Sequence, residues 1–452
     1  MHYGLIVIGA GVAGCAAALE ATRLGLDVLL VDTAPVPGLG TFSRGAVPAA
    51  LLRQVAALQP PRAPTGHAPR ARFDLPDLTE RRRTLLANHL APLFEELEAS
   101  RVIFERGCAT LRSSTEVRVE GEGVRTANAI VIATGSRPRG PASFPFDGRV
   151  VCDEESVFQQ ERLPRGMVIV GTEVVGCEFA CLFAALGVNV TLIDRRRRLL
   201  CSVDHEFGEL LHARMQKLGI VVALGEEIAT RVFHRDGSEP SAALTLSSGR
   251  VEKCDRLLVL AGRKPETAEL GLATVEVQVD DRGFISVDEH CQTSRPGIYA
   301  VGDVIGHPFR IGSALHQARC AVLHASGRPR PRLHAPPMAI YTQPEIASVG
   351  LIEEAARRLG VAYRVGFARL EDTFRGRVDG RVAGLLKLLF ERDSQRLLGV
   401  QIIGESATDL VQLGAAWLVA ETTLQQIADA VFNHPSLAEA YRLAALDALK
   451  RD

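Results

Sequence analysis

The sequence predicts an α/β protein with two Rossmann-like nucleotide-binding domains and a C-terminal α+β domain. A pattern of apolar strand, glycine-bearing turn, helix and second strand occurs at residues 5–32 and again at residues 167–194. Each copy is the unit that builds a parallel sheet with helices on both faces. The chain has 452 residues, which is too many for one hydrophobic core, so further domains are expected.

Composition and charge limit the classes of function. Hydrophobic residues make up 47% and charged residues 23% of the chain, as in an ordinary globular protein. The formal net charge of −1 gives no electrostatic reason to expect nucleic acid or an anionic membrane as a partner. No apolar run reaches the about 18–20 residues that a transmembrane helix needs. The nine Cys residues lack the spacing of a disulfide framework, so a cytoplasmic protein is predicted. No metal site is expected.

The first unit is read from its hydrophobic pattern. Residues 5–9 and 28–32 are predicted to be buried strands, and residues 12–24 the helix between them. Gly25 directly after that helix is a typical stop signal. Farther along, residues 75–100 are amphipathic and predict one or two helices.

The turn GAGVAG has the spacing of a dinucleotide-binding motif. Gly9 permits the tight turn, Gly11 lets a pyrophosphate approach the backbone, and Gly14 lets the helix pack on the strand. The N-terminus of the helix supplies free N–H donors for phosphate. Asp32 ends the second strand, where a carboxylate accepts a hydrogen bond from a ribose 2′-hydroxyl. Because strand, turn, helix and acid are in register, the first unit is predicted to bind a dinucleotide.

The second unit repeats the pattern with one exception. In GTEVVG, Gly171 and Gly176 stand in place, but Glu173 takes the position of the middle glycine. A side chain there obstructs the path of the pyrophosphate, and its carboxylate repels the phosphates. Asp194 suits the 2′-hydroxyl of NAD, whereas the arginine run that begins at Arg195 suits the 2′-phosphate of NADP. The choice of nucleotide stays open, and a relic Rossmann domain without nucleotide is the alternative.

Two further strand ends indicate ligand contact. ATGSRP, with Thr134 and Gly135, ends a strand with small residues where the chain passes close to a ligand. IYAVGDV ends a strand at Gly302 and Asp303, and a carboxylate in that position can hydrogen-bond a polyol. Taken alone, Asp303 could equally be the cap of the helix that it is predicted to open.

The C-terminal quarter has a different order of strand and helix patterns from the two units. Residues 322–338 are rich in proline and are interpreted as a linker. Residues 339–452 contain the strand patterns GLLKLLFE and LLGVQIIGE, followed by two amphipathic helix patterns. This predicts an α+β domain of about 110 residues, a plausible size for an independent unit.

These motifs together are similar to those of one family of flavoenzymes. GAGVAG with Asp32, ATGSRP, the second Rossmann unit, AGRKPE, YAVGD, YTQPEIASVG and FNHPSLAEAYR occur in that family's order over essentially the whole chain. The sequence resembles the pyridine nucleotide–disulfide oxidoreductases of the dihydrolipoamide dehydrogenase and glutathione reductase type. Within them it is most similar to the soluble, FAD-dependent pyridine nucleotide transhydrogenases, on stretches such as GTEVVGCEFA and GDVIGHP.

The resemblance implies cofactors, a partner and a division into domains. It implies FAD on the first unit, with Asp303 at the ribityl chain of the flavin, and NAD or NADP on the second, with Glu178 and Gly262 at that site. It implies a homodimer in which each C-terminal domain completes the active site of the other subunit. The expected division is a first FAD-binding part at 1–147, an NAD(P)-binding domain at 148–264, a second FAD-binding part at 265–333 and a dimerisation domain at 334–452.

The departures from the family pattern lie at the redox centre. Phe42 and Ala46 stand where the family's disulfide reductases have their two redox cysteines. Ala50 stands where a lysine normally pairs with the glutamate that matches Glu178, so this glutamate is expected to lack its partner. Dithiol–disulfide exchange needs one thiolate to attack and a second sulfur to resolve the product. Reduction of a disulfide by the family mechanism is therefore not expected.

His434 and Glu439 are retained although the thiols are absent. In the family's disulfide reductases the corresponding pair takes the proton of the thiol, with the glutamate orienting the imidazole. His434 also lies directly before a helix that begins with proline, where a structural role is common. A structural or interface role and a proton-handling role for another substrate both stay open.

Three functions fit these residues. The leading hypothesis is an FAD-dependent oxidoreductase that passes hydride from NAD(P)H through flavin to a non-disulfide acceptor, either another nicotinamide or a small molecule. That transfer requires no cysteine, since the flavin carries the chemistry. The first alternative is a catalytically silent family member that acts as a dimeric binding or regulatory subunit. The second is a flavoenzyme for a non-thiol substrate, with His434 as its acid or base.

Overall fold

The computed structural model describes residues 1–38, 84, 88, 90–160, 162–234, 241–329, 336–380 and 383–451. The segment with Phe42, Ala46 and Ala50 lies outside the described residues, as do the predicted start of the helical segment at residue 75 and part of the proline-rich linker. Residues 90–99 are helical, as the amphipathic pattern predicts.

A sheet of seven strands forms the first domain. Its strands are β1 (His2–Ile8), β2 (Val28–Asp32), β3 (Ile103–Arg106), β4 (Ala109–Leu111), β5 (Glu116–Val119), β6 (Gly123–Ile132) and β17 (Ile298–Ala300). Their spatial order is β3-β2-β1-β6-β5-β4, and β17 pairs in parallel with β6. A strand from residue 298 onward therefore completes a sheet that begins at residue 2.

The described helices cover the sheets and fill the C-terminal domain. They are α1 (Val12–Arg23), α2 (Val174–Ala185), α3 (His205–Lys217), α4 (Ile311–Ala325), α5 (Glu353–Leu359), α6 (Phe374–Asp379), α7 (Ala407–Val419), α8 (Leu424–Asp429) and α9 (Glu439–Lys450). Helices α1 and α4 pack against each other and share one buried apolar cluster with β1 and β6. Among the described helices, none has the length and apolar character that crossing a membrane requires.

The second domain repeats the parallel arrangement. Its sheet contains β8 (Val151–Cys152), β9 (Gly166–Val170), β10 (Asn189–Asp194), β11 (Val221–Leu224) and β15 (Arg256–Val259). The order is β11-β10-β9-β15-β8, with the pairings parallel. A three-stranded antiparallel sheet of β12 (Ile228–His234), β13 (Ser241–Leu246) and β14 (Val251–Cys254) adjoins it. The prediction of two Rossmann-like units is confirmed.

Two short strands tie the first two domains together. β7 (Ser136–Pro138) follows the first sheet and β16 (Arg263–Pro265) follows the second, and they pair antiparallel. The ATGSRP and AGRKPE motifs of the sequence therefore meet at one place in the fold.

The C-terminal domain is an antiparallel sheet covered by helices. Its strands are β18 (Met338–Ile340), β19 (Glu345–Gly350), β20 (Tyr363–Arg369), β21 (Leu385–Glu391) and β22 (Leu397–Gly404), in the order β18-β19-β22-β21-β20. Tyr441 of α9 is fully buried in its core and donates a 2.8 Å hydrogen bond to the carbonyl oxygen of Leu410. The α+β prediction for residues 339–452 is confirmed.

Two local predictions need correction. The helix expected to begin with the proline directly after His434 begins only at Glu439. Asp303 does not open an α-helix: Gly302–Ile305 form a single 3₁₀ turn, and α4 begins only at Ile311. Gly306 follows with φ +90°, a conformation that ends the turn, and Pro308 cannot continue a helix because it lacks an N–H. The carboxylate of Asp303 is therefore not the cap of a long helix.

Candidate nucleotide-binding sites

The first glycine turn has the close contacts that exclude side chains. A Cβ on Gly9 would lie 2.4 Å from the carbonyl oxygen of Ala133, and the backbone of Gly9 has φ +104°. A Cβ on Gly14 would lie 1.8 Å from the carbonyl oxygen of Gly9. Gly11 precedes α1 in extended conformation and provides no side chain to cap the first N–H groups of this helix. This geometry suits a pyrophosphate at the N-terminus of α1.

Asp32 lies beside this turn with acceptor capacity to spare. Its Oδ2 accepts from the N–H of Ala10 at 2.5 Å and its Oδ1 accepts from the N–H of Ala34 at 2.8 Å. Among the described residues, no side chain bonds to this carboxylate, which is only partly buried. Since a carboxylate has about four lone-pair sites, the described residues leave two of them for the hydroxyl groups of a ribose.

The other end of the same sheet edge presents Asp303. Its Oδ2 accepts from the hydroxyl of Ser136 at 2.9 Å and lies 3.6 Å from Nε of Arg263. Arg263 in turn donates to the Ser136 hydroxyl at 2.7 Å. Ser136 and Arg263 lie in the ATGSRP and AGRKPE motifs, but the sequence did not predict that they orient Asp303. Their contact joins residues more than 120 positions apart in the chain.

Thr134 and Gly135 lie between these two ends. The hydroxyl of Thr134 donates to the carbonyl oxygen of Glu266 at 2.7 Å, and Gly135 has φ +75° with open space within 4 Å of the position that a Cβ would take. Strands β2, β1, β6 and β17 are neighbours, so Asp32, the glycine turn, Gly135 and Asp303 follow one another along the carboxyl edge. An extended dinucleotide such as FAD fits this edge, with its adenosine at Asp32 and its ribityl chain at Asp303.

The second unit copies the first in its backbone. A Cβ on Gly176 would lie 1.8 Å from the carbonyl oxygen of Gly171, the same contact that Gly14 makes with Gly9. Cys177 donates its thiol to the carbonyl oxygen of Thr172 at 3.3 Å, as Cys15 does to the corresponding carbonyl of the first unit. The backbone therefore has the form of a nucleotide site.

The side chains of the second unit differ from those of the first. Arg196 holds the carboxylate of Asp194 through Nε at 3.1 Å and through Nη2 at 2.7 Å, and its Nη1 donates to the carboxylate of Glu173. Asp194 also accepts from the N–H and the hydroxyl of Thr172, each at 2.8 Å. Burial by itself raises the pKa of Asp194, but these hydrogen bonds outweigh it and hold the pKa well below its ordinary value. Arg195 is exposed beside them.

Glu178 and Gly262 have backbone partners. The sequence has no lysine at the position that pairs with Glu178 in the family. In the structure, Oε1 of Glu178 accepts from the N–H of Tyr341 at 2.8 Å, and this hydrogen bond joins α2 to the C-terminal domain. Gly262 has φ +87° and accepts through its carbonyl from the N–H of Arg139 at 2.9 Å. These contacts hold the second domain against its neighbours, and a nicotinamide contact of either residue stays a prediction.

His434 and Glu439 come together on the surface of the C-terminal domain. Nδ1 of His434 lies 3.8 Å from Oε2 of Glu439, which is too long for a hydrogen bond. The same carboxylate oxygen accepts from the N–H of Phe374 at 2.8 Å, and the ring of Phe374 lies edge-on to the imidazole at 6.5 Å. The His434 side chain is 54% exposed and that of Glu439 only 15%, so the imidazole faces solvent while Phe374 holds the carboxylate.

Family models match almost the whole chain. Residues 3–325 match the model described as pyridine nucleotide-disulphide oxidoreductase. Residues 336–445 match the model described as the dimerisation domain of the same family.

Curated relatives are similar to the chain over their full length. The soluble pyridine nucleotide transhydrogenase of Mycobacterium bovis (strain BCG / Pasteur 1173P2) is 33% identical over 461 residues, which covers 100% of this chain and 98% of the relative. The protein of the same description from Pseudomonas savastanoi pv. phaseolicola is 34% identical over 466 residues, with 100% and 99% covered.

Solved structures have the same fold. LpdA from Mycobacterium tuberculosis superimposes with a TM-score of 0.87 at 26% identity, over 98% of this chain and 99% of that chain. The HOCl-induced flavoprotein disulfide reductase RclA from Escherichia coli superimposes with a TM-score of 0.86 at 22% identity, over 98% and 99%, and at that identity it supports the fold alone.

Proposed function

The chain belongs to the pyridine nucleotide-disulphide oxidoreductase family, and from this premise we propose that it is an FAD-dependent oxidoreductase of transhydrogenase or diaphorase type. It passes hydride from NADH or NADPH through the flavin to an acceptor that is not a disulfide at the family's redox position. Full-length similarity to soluble pyridine nucleotide transhydrogenases supports the type of reaction.

The open carboxyl edge of the first sheet carries this proposal. The glycine turn leaves room for a pyrophosphate, and Asp32 has unused acceptor sites for a ribose. Asp303 is oriented by Ser136 and lies at the other end of the same edge. FAD bound there supplies the hydride chemistry, and these residues hold and orient it. The first sheet keeps the glycine turn, Asp32 and Asp303 along its carboxyl edge. This argues against a catalytically silent regulatory subunit.

The acceptor is proposed from the sequence of the redox segment. Phe42 and Ala46 offer no sulfur for exchange with a disulfide. A nicotinamide or a small diffusible molecule can take a hydride without one. His434 is proposed as an interface residue, since it lies on the surface of the dimerisation domain and makes no hydrogen bond with Glu439.

A cytoplasmic homodimer is the proposed form of the protein. Large apolar side chains are exposed on the C-terminal domain, with Phe374 at 54%, Val378 at 65% and Val431 at 99%. Covering them with a second copy removes apolar surface from water. Every Cys of the chain is a free thiol, which supports a reducing compartment.

Anaerobic titration of the purified protein tests the function. We expect yellow protein whose oxidised-flavin absorbance disappears when NADH or NADPH is added in slight excess, because hydride reaches the flavin directly. Oxidised nicotinamide nucleotide added afterwards should restore the colour. Dithionite serves as a control that the flavin can be reduced. Colour that persists at millimolar nucleotide, in protein that dithionite bleaches, would contradict the proposal.

A further inference from the structure

Arg196 and its two carboxylate partners occupy the nucleotide position of the second unit. From this arrangement we propose that Arg196 makes the second unit selective for nucleotides that carry a 2′-phosphate, so that NADP(H) binds in preference to NAD(H). Glu173 is the anion that such a nucleotide displaces from Arg196. The inference rests on the proposed function, because it names the nucleotide that the second unit takes.

The first unit of the same chain serves as an internal reference. Asp32 and Asp194 each follow their middle turn residue by 21 positions and bond the same two backbone N–H groups, at Ala10 and Ala34 in one unit and at Thr172 and Arg196 in the other. Of the equivalent positions that differ in side chain, two concern the nucleotide directly: Glu173 stands at the position of Gly11, and Arg196 at that of Ala34. The two changes are in direct contact, since Nη1 of Arg196 donates to Glu173.

The acceptor capacity of Asp194 is used up. Its two oxygens accept from the N–H and hydroxyl of Thr172 and from the N–H, Nε and Nη2 of Arg196. These five donors exceed the about four lone-pair sites of a carboxylate. The carboxylate is 8% exposed, so a ribose 2′-hydroxyl would have to displace Arg196 to reach it. The second unit therefore lacks the available carboxylate acceptor for a ribose 2′-hydroxyl that Asp32 provides in the first unit.

Arg196 lies where a 2′-phosphate would arrive. The acid at the end of this strand marks the ribose 2′-position in a Rossmann unit, and an arginine beside it accommodates a 2′-phosphate. The Arg196 and Glu173 side chains are 39% and 41% exposed, so Glu173 can turn into solvent when another anion takes its place. A phosphate offers a charged oxygen to Nη1 of Arg196, the donor that Glu173 holds, and such charge-assisted hydrogen bonds are strong.

The surrounding charges favour the same nucleotide. Arg195 and Arg197 are exposed on either side of Arg196. NADP replaces the Glu173 carboxylate on Arg196 with its own anion. NAD brings no such anion, so Glu173 stays on Arg196, where its side chain obstructs and its charge repels the pyrophosphate.

Equilibrium binding of nucleotide fragments to the FAD-loaded protein tests this inference. Adenosine 2′,5′-bisphosphate and adenosine 5′-monophosphate differ only in the 2′-phosphate, and calorimetry measures their affinities without turnover. We expect the bisphosphate to bind at least about tenfold more tightly, as one charge-assisted contact allows. Arg196→Ala should remove this preference, and Arg196→Lys should retain part of it. Arg118→Ala, which removes an exposed arginine of β5 in the first domain, is the charge-matched control and should keep the preference.

The Glu173→Gly variant provides a second test in the same binding experiment. It should tighten both fragments by about tenfold or more, because the like charge and the bulk are removed. Equal affinities in the wild type, or a preference that survives Arg196→Ala in folded, yellow protein, would overturn the selectivity and leave the proposed function standing. If neither fragment binds to the wild type or to Glu173→Gly at millimolar concentration, the nicotinamide site itself is wrong, and the selectivity falls with it.

Discussion

At the scale of single residues, the aspartate that ends the second strand has different hydrogen-bond partners in the two Rossmann units. Asp32 accepts two backbone N–H groups and keeps lone pairs for a ligand, whereas Asp194 is saturated by Thr172 and Arg196. The difference arises from two neighbours, since Thr172 and Arg196 stand where the first unit has Ala10 and Ala34. The same fold position is therefore open in one domain and closed by an ion pair in the other.

Asp32→Asn tests the role of the open acid. The amide keeps the shape of the side chain but loses the charge-assisted acceptor, which is worth about 1.5–3 kcal/mol. We expect FAD to be lost on dialysis, with its dissociation constant raised about ten- to hundredfold. The flavin content after dialysis measures this. Asp27→Asn, at an exposed position just before β2, is the control and should retain FAD. Equal flavin content in the two variants would remove Asp32 from the site.

At the scale of elements, each glycine turn sets how closely a helix approaches its sheet. Gly14 and Gly176 contact the carbonyl oxygens of Gly9 and Gly171 at a distance that leaves no room for a methyl group. Helix α1 then packs on β1 closely enough for its N-terminus to stand at the carboxyl edge of the sheet. The sequence pattern G-x-x-x-x-G, common to both units, records this packing requirement and is independent of whether a nucleotide binds.

Gly14→Ala and Gly176→Ala should each push a helix off its strand. Overpacking of this kind costs roughly 1–3 kcal/mol or more, so we expect a lower thermal unfolding midpoint for both variants. Gly312→Ala is the matched control: it lies in α4, and an added Cβ finds nothing within 4 Å. That change should be neutral or slightly stabilising, because alanine favours helix over glycine by about 1 kcal/mol. Midpoints for Gly14→Ala and Gly176→Ala that match the control would refute the packing argument.

At the scale of the whole molecule, a buried ammonium joins the second domain to the C-terminal domain. Lys387 of β21 is 2% exposed and lies 2.7 Å from Asp204, 2.5 Å from Glu206 and 2.6 Å from Glu353. Asp204 also accepts from the N–H groups of Glu353 and Glu354 at 3.1 Å, at the start of α5. The ammonium bonds all three carboxylates and so links the second domain to the C-terminal domain.

Lys387→Met should leave Asp204 and Glu206 without their ammonium partner and Glu353 with only the exposed Arg357. Breaking a buried ion pair in this way costs about 3–5 kcal/mol. We expect a marked fall in the thermal unfolding midpoint at neutral pH. The charge-matched control is Lys253→Met, an exposed lysine on β14, which should change the midpoint little. A midpoint that falls equally in both variants would show that Lys387 is not a domain contact.

The penalty of Lys387→Met should also depend on pH. Burial raises the pKa values of Asp204 and Glu353, but hydrogen bonds and charge from Lys387 outweigh it and lower both below their ordinary values. Carboxyl groups with a lowered native pKa stabilise the fold above their unfolded pKa of about 4, and lose that contribution as the pH falls through the native pKa. The difference in midpoint between wild type and variant should therefore be largest near neutral pH and should shrink below about pH 4.

By itself, the sequence determined the fold class, both Rossmann units and the α+β C-terminal domain, and it predicted Gly9, Gly11, Gly14 and Asp32 as nucleotide contacts of the first unit. These follow from local spacing, because strand periodicity, turn glycines and a strand-ending acid are set by neighbours in the chain. It also exposed the conflict between Glu173, Asp194 and the arginines without resolving it.

Only the tertiary structure decided how those charges pair. Arg196 bridges Glu173 and Asp194 across 23 positions of the chain, Ser136 orients Asp303 from 167 positions away, and Lys387 meets Asp204 from 183 positions away. No period or motif encodes such contacts, since they depend on which strand ends the folded sheets bring together. The sequence alone therefore specified the scaffold and predicted its first cofactor edge, and the packing of distant segments decided how the acids along these edges are paired.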